Sequence, residues 1–301
     1  MKEATTFAVE VLNLTYKFPD CEKPSLVEID LKIPWNTRTL VVGSNGAGKS
    51  TLLKLLSGKH LCLNGKILVN GSDPFSPVHS SNDGQEEYLM TTYLGTEWCH
   101  MSIINRDIGV AELLQSIGLA HFQKRGDTLC NILGVDLDWR MFKLSDGQKR
   151  RVQLVMGLLK PWRVLLLDEV TVDLDVIARS KLLNFLKWET ETRKCSIVYA
   201  THIFDGLSEW PDQILHLKEG HIVESLNYHQ DVKFVDATNE ASGNGAVTYH
   251  RTSDPASANT SSPSVLISKV KSLHPLAQEW LRDDPNDLSH LLINDIDQPL
   301  L

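Results

Sequence analysis

Gly43-Ser-Asn-Gly-Ala-Gly-Lys-Ser-Thr51 is the stretch that decides the fold. It fits the pattern G-x-x-x-x-G-K-[ST], whose reason is physical. Gly43, Gly46 and Gly48 leave no Cβ between backbone and phosphate, so successive N–H groups can close on an anion. Lys49 carries a positive charge toward the β- and γ-phosphates. The Ser50 hydroxyl is the expected Mg2+ ligand. All nine residues, with Ser44, Asn45, Ala47 and Thr51 among them, are expected to line the phosphates. The flanks supply the context that the motif needs. Thr39 to Val42 reads as a buried parallel strand. Leu52, Leu53, Leu55 and Leu56 repeat at helical spacing, and that helix points its positive end at the same phosphates.

Two further motifs carry chemistry. Val164-Leu-Leu-Leu-Asp-Glu169 is an apolar strand with two carboxylates at its C-terminal end, where open α/β sheets bind ligands. Asp168 is expected to partner Mg2+, directly or through water. Glu169 is expected to be the base that polarises an attacking water. Leu144-Ser-Asp-Gly-Gln148 sits at a predicted helix start, a place suited to an anion.

Composition narrows the function classes. The chain has 301 residues, 42% of them hydrophobic, so it can bury a sizeable core. Its 30 Lys and Arg against 38 Asp and Glu give a net charge of −8, which argues against a protein built to coat nucleic acid. The five cysteines are dispersed, without a C-x-x-C pair, and read as reduced intracellular thiols. Neither a secretory leader nor a run of the roughly 18 apolar residues needed for a span is legible.

The order of elements reads as α/β. Strands are expected at Val9 to Leu14, Leu26 to Ile33, Lys66 to Val69 before an Asn70-Gly71 turn, and Ser196 to Ala200. A hairpin is expected at Gln213 to Val223. Helices are expected at Ile108 to Leu119, Trp139 to Leu144, Ser145 to Leu159 and Ala178 to Glu191, with Gly126 to Asp136 looser. Together these suggest a small helical subdomain at about 100–160 inserted in the core. The first domain, which holds the glycine loop, is placed at 1–233. Residues 234–264, rich in Ser, Thr, Asn and Gly, read as a flexible linker. Residues 265–301 form a tail with a short amphipathic helix that docks on the core, docks on a partner, or stays weakly ordered.

Leu144-Ser-Asp-Gly-Gln148, ahead of the Asp168-Glu169 strand, resembles the signature of ATP-binding cassette (ABC) ATPases. The resemblance covers about residues 7 to 225. It implies a P-loop NTPase fold of ABC type: a mostly parallel core sheet, an antiparallel β subdomain and the helical insert. It also implies ATP and Mg2+ as cofactors. Ser145, Gly147 and Gln148 would face the nucleotide held by a second cassette, with a homodimer as the expected arrangement. Val172-Asp-Leu-Asp175 resembles the D-loop that lines the dimer seam. His202 resembles the switch histidine that reaches the γ-phosphate, and so counts with Glu169 as catalytic. Phe18 is the best match for the aromatic that stacks on adenine, with Tyr16 next.

The chain departs from the family pattern at several positions. Asp146 stands where the signature usually has Gly, and Val170 replaces a common Pro. The Q-loop stretch Tyr93-Leu-Gly-Thr-Glu-Trp98 has no glutamine: Thr96 takes its place, and Glu97 is a candidate metal ligand instead. Tyr93 to Cys99 and Leu273-His-Pro-Leu-Ala-Gln-Glu-Trp-Leu281 are similar to a subgroup of soluble single-cassette ABC ATPases of fungi, with plant relatives. The yeast member is associated with the deadenylase and transcription-regulator (Ccr-Not) complex. That resemblance implies a regulatory ATP hydrolase with protein partners, located in the cytoplasm and also the nucleus. The alternatives are the ATP-binding subunit of a transporter with a separate membrane chain, or an iron–sulfur assembly ATPase.

Overall fold

The computed structural model describes residues 6–75, 90–95, 107–204, 206–235, 247–250, 264–268 and 273–282. The chain begins with β1 (Phe7–Tyr16), β2 (Leu26–Pro34) and β3 (Arg38–Val42), followed by α1 (Lys49–Leu56), β4 (Lys66–Val69) and β5 (Met90–Leu94). The helical insert holds α2 (Val110–Ser116), α3 (Gln123–Leu133) and α4 (Asp146–Leu159). The core resumes with β6 (Trp162–Asp168), α5 (Val176–Thr192), β7 (Ser196–Ala200), β8 (Gln213–Lys218) and β9 (His221–Asn227). The last elements are α6 (Tyr228–Asp231), β10 (Val232–Val235), β11 (Val247–His250), β12 (Ser264–Ser268) and α7 (His274–Arg282).

The central sheet has the order β5-β6-β7-β3-β8-β9, parallel except for the β8–β9 hairpin. A second, antiparallel sheet has the order β2-β1-β4. Two cores follow from the period of two along the central strands. Val41, Val164, Leu166, Val198 and Leu215 face α1 and the antiparallel sheet. Leu40, Val42, Leu165, Leu167 and Tyr199 face the cluster that holds α3, α4 and α5. Both faces are covered, which is why these strands read as continuous apolar runs. Asn70 and Gly71 both take positive φ (52° and 73°), as the expected tight turn requires.

The structure differs from the sequence reading in three places. Residues expected to be loose between Gly126 and Asp136 are mostly helical, inside α3. Gly126 is there for close packing, since a Cβ would lie 2.3 Å from Leu119 Cδ1, and Leu129 and Leu133 bury the helix face. Trp139 to Leu144 holds only a short 3-10 turn, Met141–Lys143, in place of the expected helix. Within 234–264, read as linker, Val247–His250 is a strand: β11 pairs antiparallel with β12, which pairs parallel with β10. The tail helix docks on the core, with Leu273, Leu276, Ala277 and Trp280 buried in the larger cluster.

Candidate functional site

Adjacent parallel strands bring the three chemical loops to one edge. β7 lies between β6 and β3, and Ala200 is level with Asp168 on one side and Val41 on the other. The glycine loop after β3, the carboxylates ending β6 and the residues after β7 therefore emerge side by side at the C-terminal end of the sheet.

The glycines do different jobs. A Cβ on Gly43 would sit 2.2 Å from the Leu217 carbonyl oxygen, and one on Gly48 2.8 Å from that of Ser25. Those two are required by the protein's own backbone, besides any phosphate. Gly46, at φ +84°, faces open space. The loop is closed by Ala47 N–H donating to the Ser44 carbonyl and Gly220 N–H donating to that of Ala47. α1 then starts on Gly48 with no side-chain cap and no acidic residue in its first turn, so its positive end is left to an anion. Lys49 is buried and donates from Nζ to the Gly43 and Ser44 carbonyls, at 2.7 and 2.9 Å. Asn45, Gly46 and Ser50 are exposed, and Thr51 is half-buried.

Ser50 Oγ donates to Asp168 Oδ1 at 3.0 Å, and the Tyr93 hydroxyl donates to Asp168 Oδ2 at 3.0 Å. Both oxygens of this buried carboxylate are thus oriented. Lys59 Nζ lies 4.3 Å from the centre of the Tyr93 ring. The sequence reading missed Tyr93 because its partner lies 75 residues away. Glu169 takes a left-handed backbone, φ 52°, uncommon for a residue with a Cβ. Its N–H donates to the Ala200 carbonyl. Its Oε2 lies 2.9 Å from His202 Nδ1 and also accepts from the His202 N–H at 3.4 Å. His202 itself is 57% exposed.

Ser145 caps α4 in a capping box. Gln148 N–H donates to Ser145 Oγ, and Ser145 N–H donates to Gln148 Oε1. Asp146, the departure in the signature, points to solvent with its side chain 82% exposed, 3.7 Å from Lys149. A Cβ on Gly147 would be 3.5 Å from the Asp173 carbonyl oxygen, which sets the signature against the 172–175 loop. In that loop Asp175 caps α5 through Ala178 N–H and pairs with Arg151 at 2.8 Å. These contacts hold its carboxyl below the ordinary range, the cap contributing most. Val172, Val176 and Ile177, around the same loop, are exposed apolar side chains. Arg150 is buried and donates to the Gly95 carbonyl and to Gln153, with Asp173 at 3.7 Å.

Tyr16, Phe18 and His60 form an aromatic trio at centroid distances of 5.0 to 5.9 Å, and Phe18 is half-buried. His60 was not anticipated from the sequence. Thr96 and Glu97 lie outside the described residues. Ser50 and Asp168 offer an all-oxygen pair beside an uncapped helix start, a donor set suited to Mg2+. Among the described residues no helix is long and apolar enough to cross a membrane.

The sequence profile of the family described as ABC transporter matches residues 26–172. "CCR4-associated factor 16" of Saccharomyces cerevisiae is 65% identical over 92% of this chain and 95% of that protein. "ABC transporter I family member 21" of Arabidopsis thaliana is 41% identical over 71% of this chain and 76% of its own length. Among solved structures, an ATP-binding subunit of an ABC transporter superposes with a TM-score of 0.59 at 22% identity. The match covers 73% of this chain and 90% of that one. At that identity the likeness bears on the fold.

Proposed function

The chain belongs to the ABC ATPase family, and we propose that it hydrolyses Mg-ATP in a composite site formed by two copies, as a regulatory subunit of a larger assembly. One observation carries the hydrolytic reading: Lys49, Ser50, Asp168, Glu169 and His202 converge at one end of the central sheet. Their arrangement suits phosphoryl transfer, where positioning and charge stabilisation are most of the catalysis.

The roles follow from the contacts. Lys49, whose Nζ sits inside the glycine loop against the Gly43 and Ser44 carbonyls, would place its charge on the β- and γ-phosphates. Ser50 and Asp168 would hold Mg2+, with Tyr93 fixing the second Asp168 oxygen. A bound Mg2+ there would supply charge neutralisation to the triphosphate. Glu169, aimed by its left-handed backbone, takes a proton from the attacking water. His202 orients Glu169 and faces the γ-phosphate. The Tyr16, Phe18 and His60 trio supplies a stacking surface for adenine.

The composite character rests on the signature. Ser145 and Gly147 lie by the 172–175 loop, and the exposed Val172, Val176 and Ile177 give that face an apolar surface suited to a second copy. The regulatory assembly is inferred from the relative whose name, "CCR4-associated factor 16", states an association with CCR4. Mixing two inactive variants, Lys49→Ala and Ser145→Arg, tests the shared site. A mixed dimer keeps one intact half-site, so turnover is expected to return on mixing. Two pools that stay inactive together contradict the shared site.

A further inference from the structure

We propose that α7 is a positioning element for His202: its docking holds the loop His202–Phe204 so that the imidazole stays beside Glu169. The proposal rests on the reading of Glu169 and His202 as the hydrolytic pair. It goes beyond that reading by giving the C-terminal helix a part in turnover.

The loop is held from two sides. On one side α5 reaches it, with Arg179 Nη2 donating to the Ile203 carbonyl at 2.6 Å. On the other side lies α7. Phe204 is buried, and its ring meets His274 edge-on at 6.5 Å and 78°. His202, Phe204, His274, Gln278 and Leu281 line one cavity of about 430 Å3, so the switch residue and the tail helix share a wall. The far end of α7 is anchored independently. Trp280 stacks on His216 at 4.6 Å and 6°, and His216 is level with Val42, the last residue before the glycine loop. Leu273, Leu276, Ala277 and Trp280 are all nearly inaccessible, so the helix has a fixed seat. His274 and Gln278 are exposed on the side that meets the cavity.

The geometry predicts what α7 controls. His202 is more than half exposed. Packing against Phe204 from α7 therefore limits the positions its backbone can take. A factor that lifted α7 would release the loop without touching the glycine loop or Ser50.

The test pairs kinetics with hydrogen exchange. His274→Ala with Gln278→Ala changes two exposed residues and should leave the melting temperature and the ATP KM unchanged. Its kcat should fall about tenfold, since small misplacements of a catalytic group are costly. Amide exchange at Ile203 and Phe204, measured without nucleotide, should speed up in this variant while the strand amides stay protected. Trp280→Ala, which undocks the anchored end, should show the same loop effect and a larger fall in kcat. Unchanged loop exchange in both variants would overturn the proposal, as would an unchanged kcat in a chain that does hydrolyse ATP. If the wild-type chain shows no ATP turnover, the functional reading fails and the exchange measurement alone decides the role of α7.

Discussion

His202 Nδ1 lies 2.9 Å from Glu169 Oε2, joining the ends of two neighbouring strands, β7 and β6. Glu169 holds a left-handed φ of 52°, so its side chain leaves the strand sideways toward His202. A carboxylate held by its neighbour in this way is preorganised, which suits the role proposed for Glu169.

Glu169→Gln keeps the shape of the side chain and its contact with His202 but removes the base. Turnover is expected to fall by about 10²–10⁴-fold, with ATP affinity largely kept. Steady-state phosphate release and equilibrium calorimetry read the two quantities separately.

Lys49→Ala removes a charge-assisted contact to the phosphates. The loss of ATP affinity is expected to be about 1.5–3 kcal/mol. Unchanged affinity in calorimetry would remove the loop from the site.

Tyr93→Phe takes one donor from Asp168 and leaves the fold intact. The Mg2+ concentration for half-maximal turnover is expected to rise about tenfold, the usual scale for losing a partner of a metal ligand. A Mg2+ titration at saturating ATP checks it. A shift in ATP affinity without a shift in Mg2+ demand contradicts the assignment.

Arg125→Leu tests what holds the helical insert to α5. Arg125 makes a two-bond fork to Glu189, which is almost wholly buried and also pairs with Arg193. Removing one cation leaves a buried carboxylate partly uncompensated, at a cost of about 3 kcal/mol. Chemical denaturation measures it, and a variant as stable as wild type refutes the pairing as a stabilising contact.

Alkaline stability follows from Cys195. Burial, the largest cause, raises its thiol to about 11 from an ordinary 9.0. A raised folded-state pKa gives stability that is present below 9.0 and lost as pH climbs toward 11, because the unfolded thiol ionises first. Cys195→Ala is therefore expected to flatten the loss of stability between those two values, whatever its effect at neutral pH.

What the sequence made legible was local. The glycine loop, the Asp168-Glu169 pair, the Ser145 cap and the Asn70-Gly71 turn each lie within a few residues whose chemistry is self-contained. The misses were contacts between distant segments. Tyr93 reaches Asp168 across 75 residues, and His60 joins Tyr16 and Phe18 from the turn after α1. The stretch Gly126 to Asp136 read as loose because the packing partner of Gly126, Leu119, is on another element. The strand Val247–His250 was hidden by polar composition, since its pairing with Ser264–Ser268 is a backbone matter. Conversely, the reasons given for Gly43 and Gly48 were incomplete: their neighbours are Leu217 and Ser25 of this chain.

The central claim is that the Lys49 loop of one copy is completed by Ser145 and Gly147 of another. Light scattering of Glu169→Gln at saturating Mg-ATP tests it most directly, since a stalled site should trap the pair. The account predicts a mass twice the 33.8 kDa of one chain, returning to one chain when ATP is removed. A particle of 33.8 kDa that stays single at saturating Mg-ATP contradicts it.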